Sequence, residues 1–211
     1  MIAVVDLKIS NLASVLNALR LLDAPDHDFA TPASVASASA VILPGVGAFG
    51  DGMASLRDQG LIAPLKAAAA AGKPIFGICL GMQLLATRST EFGSHEGLDL
   101  VAGQVERLVA TDPGYRVPNI GWCDVRATGE GVLFPRQSGG CFYHVHSFHL
   151  VTTRPDVRAA SMEYSGREVT VAVEDGNLFG VQFHAEKSQD DGLHVLSRFL
   201  AHVRARSGAA P

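Results

Sequence analysis

Short, wholly apolar runs alternate with stretches whose apolar residues recur at helical spacing. That alternation narrows the fold more than any other feature of the sequence. The runs IAVVD (2–6), AVILPG (40–45) and IFGIC (75–79) show no polar face, as expected of strands covered on both sides. Between them Leu12, Val15, Leu16, Leu19 and Leu22 mark a helix that Asn11 is placed to cap, and HDFAT (27–31) marks a further strand. Residues 49–71 form a second helical stretch through Met53, Leu56, Leu61, Leu65 and a run of alanines, ending at Gly72-Lys73-Pro74. LGMQLLATRS (80–89) continues the series as a helix carrying Leu84 and Leu85. Strand-helix-strand units of this kind build a right-handed, mostly parallel sheet with helices on both faces.

The second half changes character. VAGQVERLVA, CDVRA, CFYHVHSFHLVTT, VRAASMEYSG, EVTVAVEDG and LFGVQFH read as strands joined by turns such as Glu174-Asp175-Gly176. They add antiparallel strands before LHVLSRFLAHVRAR closes the chain as an amphipathic helix, with SGAAP expected to fray. The expected architecture is an α/β fold: a mostly parallel open central sheet flanked by helices, with additional antiparallel strands in the second half. The 211 residues, 47% of them hydrophobic, carry no internal repeat and no long linker, so one domain over 1–211 suffices.

Composition removes several classes of function. The net charge is −4 and no basic run occurs, which leaves no footprint for nucleic acid or an anionic membrane. No apolar stretch approaches the roughly 20 residues of a membrane span. The opening MIAVVDLKISN has no basic start of the kind that a signal peptide carries. Cys79, Cys123 and Cys141 are widely spaced, with no CxxC pair and no Cys/His ligand pattern, so neither a disulfide framework nor a metal site is indicated. A cytoplasmic protein is the expectation.

Cys79 holds the most informative position. In open α/β sheets reactive groups gather at the carboxyl ends of strands, and Cys79 ends one such strand where a helix begins. A helix N-terminus favours the thiolate, and G-x-C-x-G has the form of a nucleophile elbow with cysteine in the serine position. Flanking glycines permit a strained turn and leave a substrate room to reach the sulfur. A free cysteine is equally at home as a small buried side chain, so the rest of the constellation has to decide. In GVQFHAEKS (180–188), His184 and Glu186 follow an apolar run. On extended backbone residues i and i+2 share a side, which would pair an imidazole with a carboxylate that orients it. LPGVGAF (43–49) ends another predicted strand, on the same sheet edge. Gly45 and Gly47 free its backbone to aim amides at a developing oxyanion, with the Leu80 amide as a second donor.

PGVG, GICLGMQLL and VQFHAEKS, in that order, resemble the three signatures of the class I, or triad, glutamine amidotransferases. The N-terminal strand with Asn11, GVGAFGDGM, NIGW (119–122) and YHVHSF (143–148) narrow the resemblance to the glutaminase subunits of imidazole glycerol phosphate synthases, over nearly the whole chain. The resemblance implies a flavodoxin-like sheet, L-glutamine as substrate, no cofactor, and a (β/α)8-barrel cyclase as heterodimer partner. It makes Cys79 the nucleophile, His184 the base and then acid, and Glu186 its orienter. Gly45, Gly47, Gln83, His146 and Ser147 would bind substrate. A backbone rearrangement at Val46 would complete the oxyanion hole. Asn11, Trp122, Tyr143 and Lys187 would face the cyclase and the ammonia exit. Three departures stand out: Leu7-Lys8-Ile9-Ser10 replaces the usual Y-G-x-G before Asn11, Ala185 replaces the proline of H-P-E, and Cys123 follows Trp122 where asparagine is common. A paralogue feeding a barrel-type sugar amidotransferase, a catalytically silent binding module, and a cysteine hydrolase acting on peptides or γ-glutamyl chains stay open as alternatives.

Overall fold

The computed structural model describes residues 1–8, 12–206 and 208, so Asn11 and most of SGAAP lie outside the described residues. The first part of the chain contains β1 (Ile2–Val4), α1 (Leu12–Leu21), β2 (His27–Phe29), α2 (Pro32–Ser37), β3 (Ala40–Gly45), α3 (Phe49–Asp58), α4 (Ile62–Ala70), β4 (Ile75–Cys79) and α5 (Leu80–Leu84). It is followed by β5 (Ala86–Ser89), β6 (His95–Glu96), β7 (Val101–Arg107), β8 (Asn119–Ala127), β9 (Gly139–His146) and β10 (Phe148–Thr152). The last elements are β11 (Arg158–Tyr164), β12 (Arg167–Asp175), β13 (Leu178–Val181) and α6 (Gln189–Arg206). A nine-stranded sheet runs in the order β2-β1-β3-β4-β13-β12-β11-β8-β9, and a four-stranded sheet in the order β10-β7-β5-β6. The five strands from β2 to β13 are mutually parallel, and β12, β11, β8 and β9 extend the sheet antiparallel.

The apolar strand runs divide by alternation between two cores. Ile2, Val4, Ile42, Phe76 and Ile78 face Val15 and Leu19 of α1 and Phe199 and Val203 of α6. Ala3, Val41, Leu43 and Ile75 face the other way, onto Leu56 of α3, Leu65 of α4 and Leu80 and Leu84 of α5. A strand buried on both faces needs an apolar residue at every position, which is why these runs show no polar alternation.

Four sequence expectations change in detail. The stretch 49–71 is two helices rather than one. Gly60, at φ +66°, ends α3 with Leu61 N–H on Leu56 O and Gly60 N–H on Arg57 O, the paired bonds of a Schellman stop. Residues 80–89 are not one helix. Amides of Leu98, Leu100 and Val101 take the carbonyls of Leu84 and Leu85 that a further turn would have used, and Ala86–Ser89 joins β7 and β6 as a strand. The run CFYHVHSFHLVTT divides at Ser147, so that β9 serves the large sheet and β10 the small one. Finally, LFGVQFH leaves the sheet after Val181, and Ala185–Lys187 forms one 3-10 turn before α6. Among the described residues, no helix is long and apolar enough to cross a membrane.

Candidate active site

The site lies where β3, β4 and β13 end side by side. Cys79 pairs in register with Gly45, and Ile78 with Val181. Cys79 has φ +55° and ψ −111°, a region that a residue with a side chain occupies at a cost of about 1–3 kcal/mol. The two flanking glycines explain how the turn is built. A Cβ on Gly81 would fall 1.6 Å from the Leu43 carbonyl oxygen, and one on Gly77 would fall 2.6 Å from the backbone of Gly81 and Met82. The glycines therefore let α5 pack directly onto β3 and β4. This backbone approach requires glycine at both positions whatever room they also leave for a substrate.

His184 and Glu186 meet through the 3-10 turn instead of an extended strand. His184 Nδ1 and Glu186 Oε1 are 2.8 Å apart, both side chains buried. His184 N–H donates to Tyr143 O, and the Ser188 hydroxyl donates to His184 O, which fixes the backbone that carries the ring. Burial opposes a charged imidazole here, but the neighbouring Cys79 and Glu186 outweigh it and raise the His184 pKa to about 10.

A cavity of about 280 Å³ opens over Cys79, at the small end of the roughly 300–1,000 Å³ that ligand pockets span. Val46, Gly47, Leu80 and Gln83 line one side, and Val145, His146, Ser147 and Phe148 line the other. Gly47 adopts φ +95°, a conformation that favours glycine and turns the loop after β3 over the pocket. Leu80 begins α5, where the first amides have no partner within the helix. Gly45, expected to touch substrate, lies instead within β3; a Cβ there would be 2.9 Å from Leu7 Cδ1 and 3.0 Å from Leu80 Cβ. The sheet packing requires this glycine.

His146 and its neighbours are held neutral. Burial is the first cause and lowers the pKa of both His146 and His149 to about 4. His144 is pushed well below its ordinary value, again by burial and then by His146 and His184.

Sequence reasoning missed two cavity or near-cavity groups. Glu91 lines the cavity and accepts the Phe49 N–H at 2.7 Å, at the N-terminus of α3. Burial raises its pKa above the ordinary carboxylate value, and the Phe49 amide offsets only part of that rise. It falls after a segment read as helix, so nothing in the local pattern aimed it at Cys79. Gln182, wholly buried, reaches the Cys79 sulfur.

Trp122 and Tyr143 face each other across β8 and β9 with ring centroids 5.9 Å apart, and Tyr143 in turn stands 6.5 Å from the His184 ring. Trp122 is 47% and Ile120 61% exposed, and Lys187 is exposed at the end of the 3-10 turn. An apolar surface patch therefore begins directly behind the His184 ring.

A thiol on a strained elbow, an imidazole braced by a buried carboxylate and a small cavity over the thiol, all at one edge of an open α/β sheet, are the parts that a cysteine-dependent acyl-transfer enzyme requires. The family model for class-I glutamine amidotransferases matches residues 3–203, and the chain belongs to that family. The imidazole glycerol phosphate synthase subunit HisH of Moorella thermoacetica is 46% identical over 209 residues, 99% of this chain and 98% of that protein. HisH 1 of Legionella pneumophila strain Paris is 40% identical, covering 94% and 98%. The structure of PurLQS from Thermotoga maritima superposes with a TM-score of 0.73 at 19% identity, over 95% of this chain and 97% of that one, a likeness of fold.

Proposed function

We propose that this chain is the glutaminase subunit of an imidazole glycerol phosphate synthase, a single domain that hydrolyses L-glutamine and delivers ammonia to a barrel cyclase. The observation that carries this reading is the shared cavity. Cys79, the backbone at Val46, Gly47 and Leu80, and the carboxylate of Glu91 border one space of amino-acid size, with His184 beside Cys79 and Glu186 against His184. Full-length relatives named as subunits of that synthase support it.

The chemistry follows from the charges. With the proton on His184, the Cys79 sulfur attacks the side-chain carboxamide carbon of glutamine. The oxygen that becomes negative is met by the Leu80 amide and the loop backbone at Val46 and Gly47. As the tetrahedral intermediate collapses, the C–N bond breaks and His184 gives its proton to the departing nitrogen, releasing ammonia. Neutral His184 then takes a proton from water, which attacks the thioester, expels the Cys79 sulfur and yields glutamate. Glu91 supplies the counter-charge for the substrate ammonium. Gln83 donates its amide to Phe148 O and Gln182 Oε1, leaving Oε1 as its offer to the substrate.

Ammonia that reached water would be protonated and lose its nucleophilicity, so the exit must be covered. Trp122, Tyr143 and Lys187, with Ile120 beside them, form the surface on which the cyclase docks. Such a biosynthetic pair belongs in the cytoplasm. The test is glutamine hydrolysis measured with and without a barrel cyclase and its nucleotide ligand. Turnover rising on addition of the liganded cyclase supports the reading. Full turnover without any partner overturns it in favour of an independent hydrolase.

A further inference from the structure

We infer that Gln182 is a positioning residue for the nucleophile, its side-chain amide held so that an N–H faces the Cys79 sulfur. The inference rests on the role proposed for Cys79 above. Gln182 Nε2 lies 3.8 Å from Cys79 Sγ, within reach of a hydrogen bond to sulfur, and the Gln182 side chain is wholly buried.

The orientation of this amide is dictated by its neighbours. The Phe148 carbonyl oxygen can only accept. The Gln83 atom 2.9 Å from it must therefore be the amide nitrogen. That same nitrogen lies 3.1 Å from the Gln182 side chain, which must answer with its oxygen. The Gln182 nitrogen is thereby left pointing at Cys79. The carbonyl fixes a second arm too. His146 Nδ1 lies 2.9 Å from Phe148 O and must donate, so His146 Nε2 accepts from His144 Nδ1 at 3.1 Å. One carbonyl at the start of β10 thus sets the polarity of an amide arm running to the sulfur and of a histidine arm running beneath the cavity.

A neutral donor suits this position. A thiolate is a much better acceptor than a thioester sulfur, so an N–H aimed at Sγ favours the state that attacks and loosens once the acyl group is attached. A cation there would compete with His184 for the sulfur, and a carboxylate would repel it. In β13 and the residues after it, Gln182 is the polar side chain in an otherwise apolar run, LFGV before it and Phe183 after it. An apolar side chain of the same length would fill the space but would offer neither the acceptor that the Gln83 amide uses nor the donor aimed at Cys79.

Gln182→Met keeps the length and removes both the donor to Cys79 and the acceptor of the Gln83 amide; Gln182→Glu keeps the shape and that acceptor and removes the donor when ionised. Each is compared with the unsubstituted full chain in complex with its cyclase. Glutamine-hydrolysis kcat should fall about tenfold in both, the lower end of a lost hydrogen bond to a charged group, with KM changed less than about twofold. Haloacetamide alkylation, followed on the Cys79 peptide by mass spectrometry because Cys123 and Cys141 are also free, needs no glutamine turnover. Its rate should reach half-maximum about one pH unit higher in both variants. Synthesis supported by ammonium salt should be retained, which shows that the complex is intact. Unchanged alkylation profiles in two folded variants overturn the inference, whatever happens to kcat. If Cys79→Ala still hydrolyses glutamine, the proposed function itself fails. If Cys79→Ala is inactive while the Gln182 variants alkylate normally, only the inference about Gln182 fails.

Discussion

Glu186 Oε1 lies 2.8 Å from His184 Nδ1, and neither side chain is more than 4% exposed. A carboxylate so placed fixes which ring nitrogen carries the proton and stabilises the imidazolium. Glu186→Gln keeps the shape and removes the charge. Glutamine hydrolysis should fall on the order of 10³-fold in kcat, with little change in KM, while synthesis from ammonium salt persists. Steady-state assays with the two nitrogen sources check both parts. A fall confined to KM would mean that Glu186 shapes substrate binding instead.

The buried histidines give the fold a two-sided pH dependence. His184 binds its proton more tightly folded, with a pKa of about 10 against about 6.5 unfolded. Its stabilisation is complete below the unfolded value and is lost as pH rises toward 10. His146 and His149 behave oppositely. Their folded pKa values are about 4, so the unfolded chain binds protons first and stability drops as pH falls from 6.5 toward 4. Urea midpoints across this range should peak near neutral pH. His184→Gln should flatten the alkaline limb and His149→Gln the acidic one. Limbs unaltered by these substitutions would assign the pH dependence to other groups.

Gly81 has no space for a side chain, since a Cβ would fall 1.6 Å from Leu43 O. Gly81→Ala should lose about 3 kcal/mol or more of stability, because the obstruction is backbone and cannot rotate away. Gly129, where an added Cβ meets nothing within 4 Å and φ is not positive, is the control and should change by less than about 0.5 kcal/mol. Denaturant unfolding of both variants decides the matter. Equal midpoints would mean that α5 can move off β3.

Much of this site was legible because its parts lie at strand ends, and strand ends are marked by apolar runs that stop abruptly. Cys79, Gly47 and Leu80 come together around one cavity, as their places at the ends of the runs 40–45 and 75–79 suggested, and Gln83, His146 and Ser147, which only the family resemblance pointed to, line it as well. What stayed hidden depended on tertiary pairing. The β5 strand is held by hydrogen bonds to β7 and β6, partners that sequence periodicity does not reveal, so a helix over 80–89 was the natural expectation. Glu91 lies just beyond that strand, and its place in the cavity follows from the unexpected turn of the chain. Gly45 and Gly81 were read as serving the substrate, yet the atoms they admit are those of Leu7, Leu80 and Leu43. A glycine beside a reactive residue announces close approach without saying which group approaches.

Trp122 and Ile120 project from β8 while Tyr143 supports Trp122 from β9. Trp122→Ala should leave stability of the free chain within about 0.5 kcal/mol, because nearly half of the side chain is exposed. Its Kd for the cyclase should rise at least about thirtyfold, as expected of a central aromatic anchor. Calorimetric titration of the two subunits measures this. An unchanged Kd would place the docking surface elsewhere.

The most direct test of the glutaminase assignment is Cys79→Ala, assayed in the complex with each nitrogen source in turn. Glutamine-dependent synthesis and glutamine hydrolysis should both vanish, while ammonium salt should sustain synthesis at the unsubstituted rate. Residual glutamine hydrolysis, or loss of the ammonium-supported reaction in a complex that still forms, would contradict the division of labour between Cys79 and the cyclase.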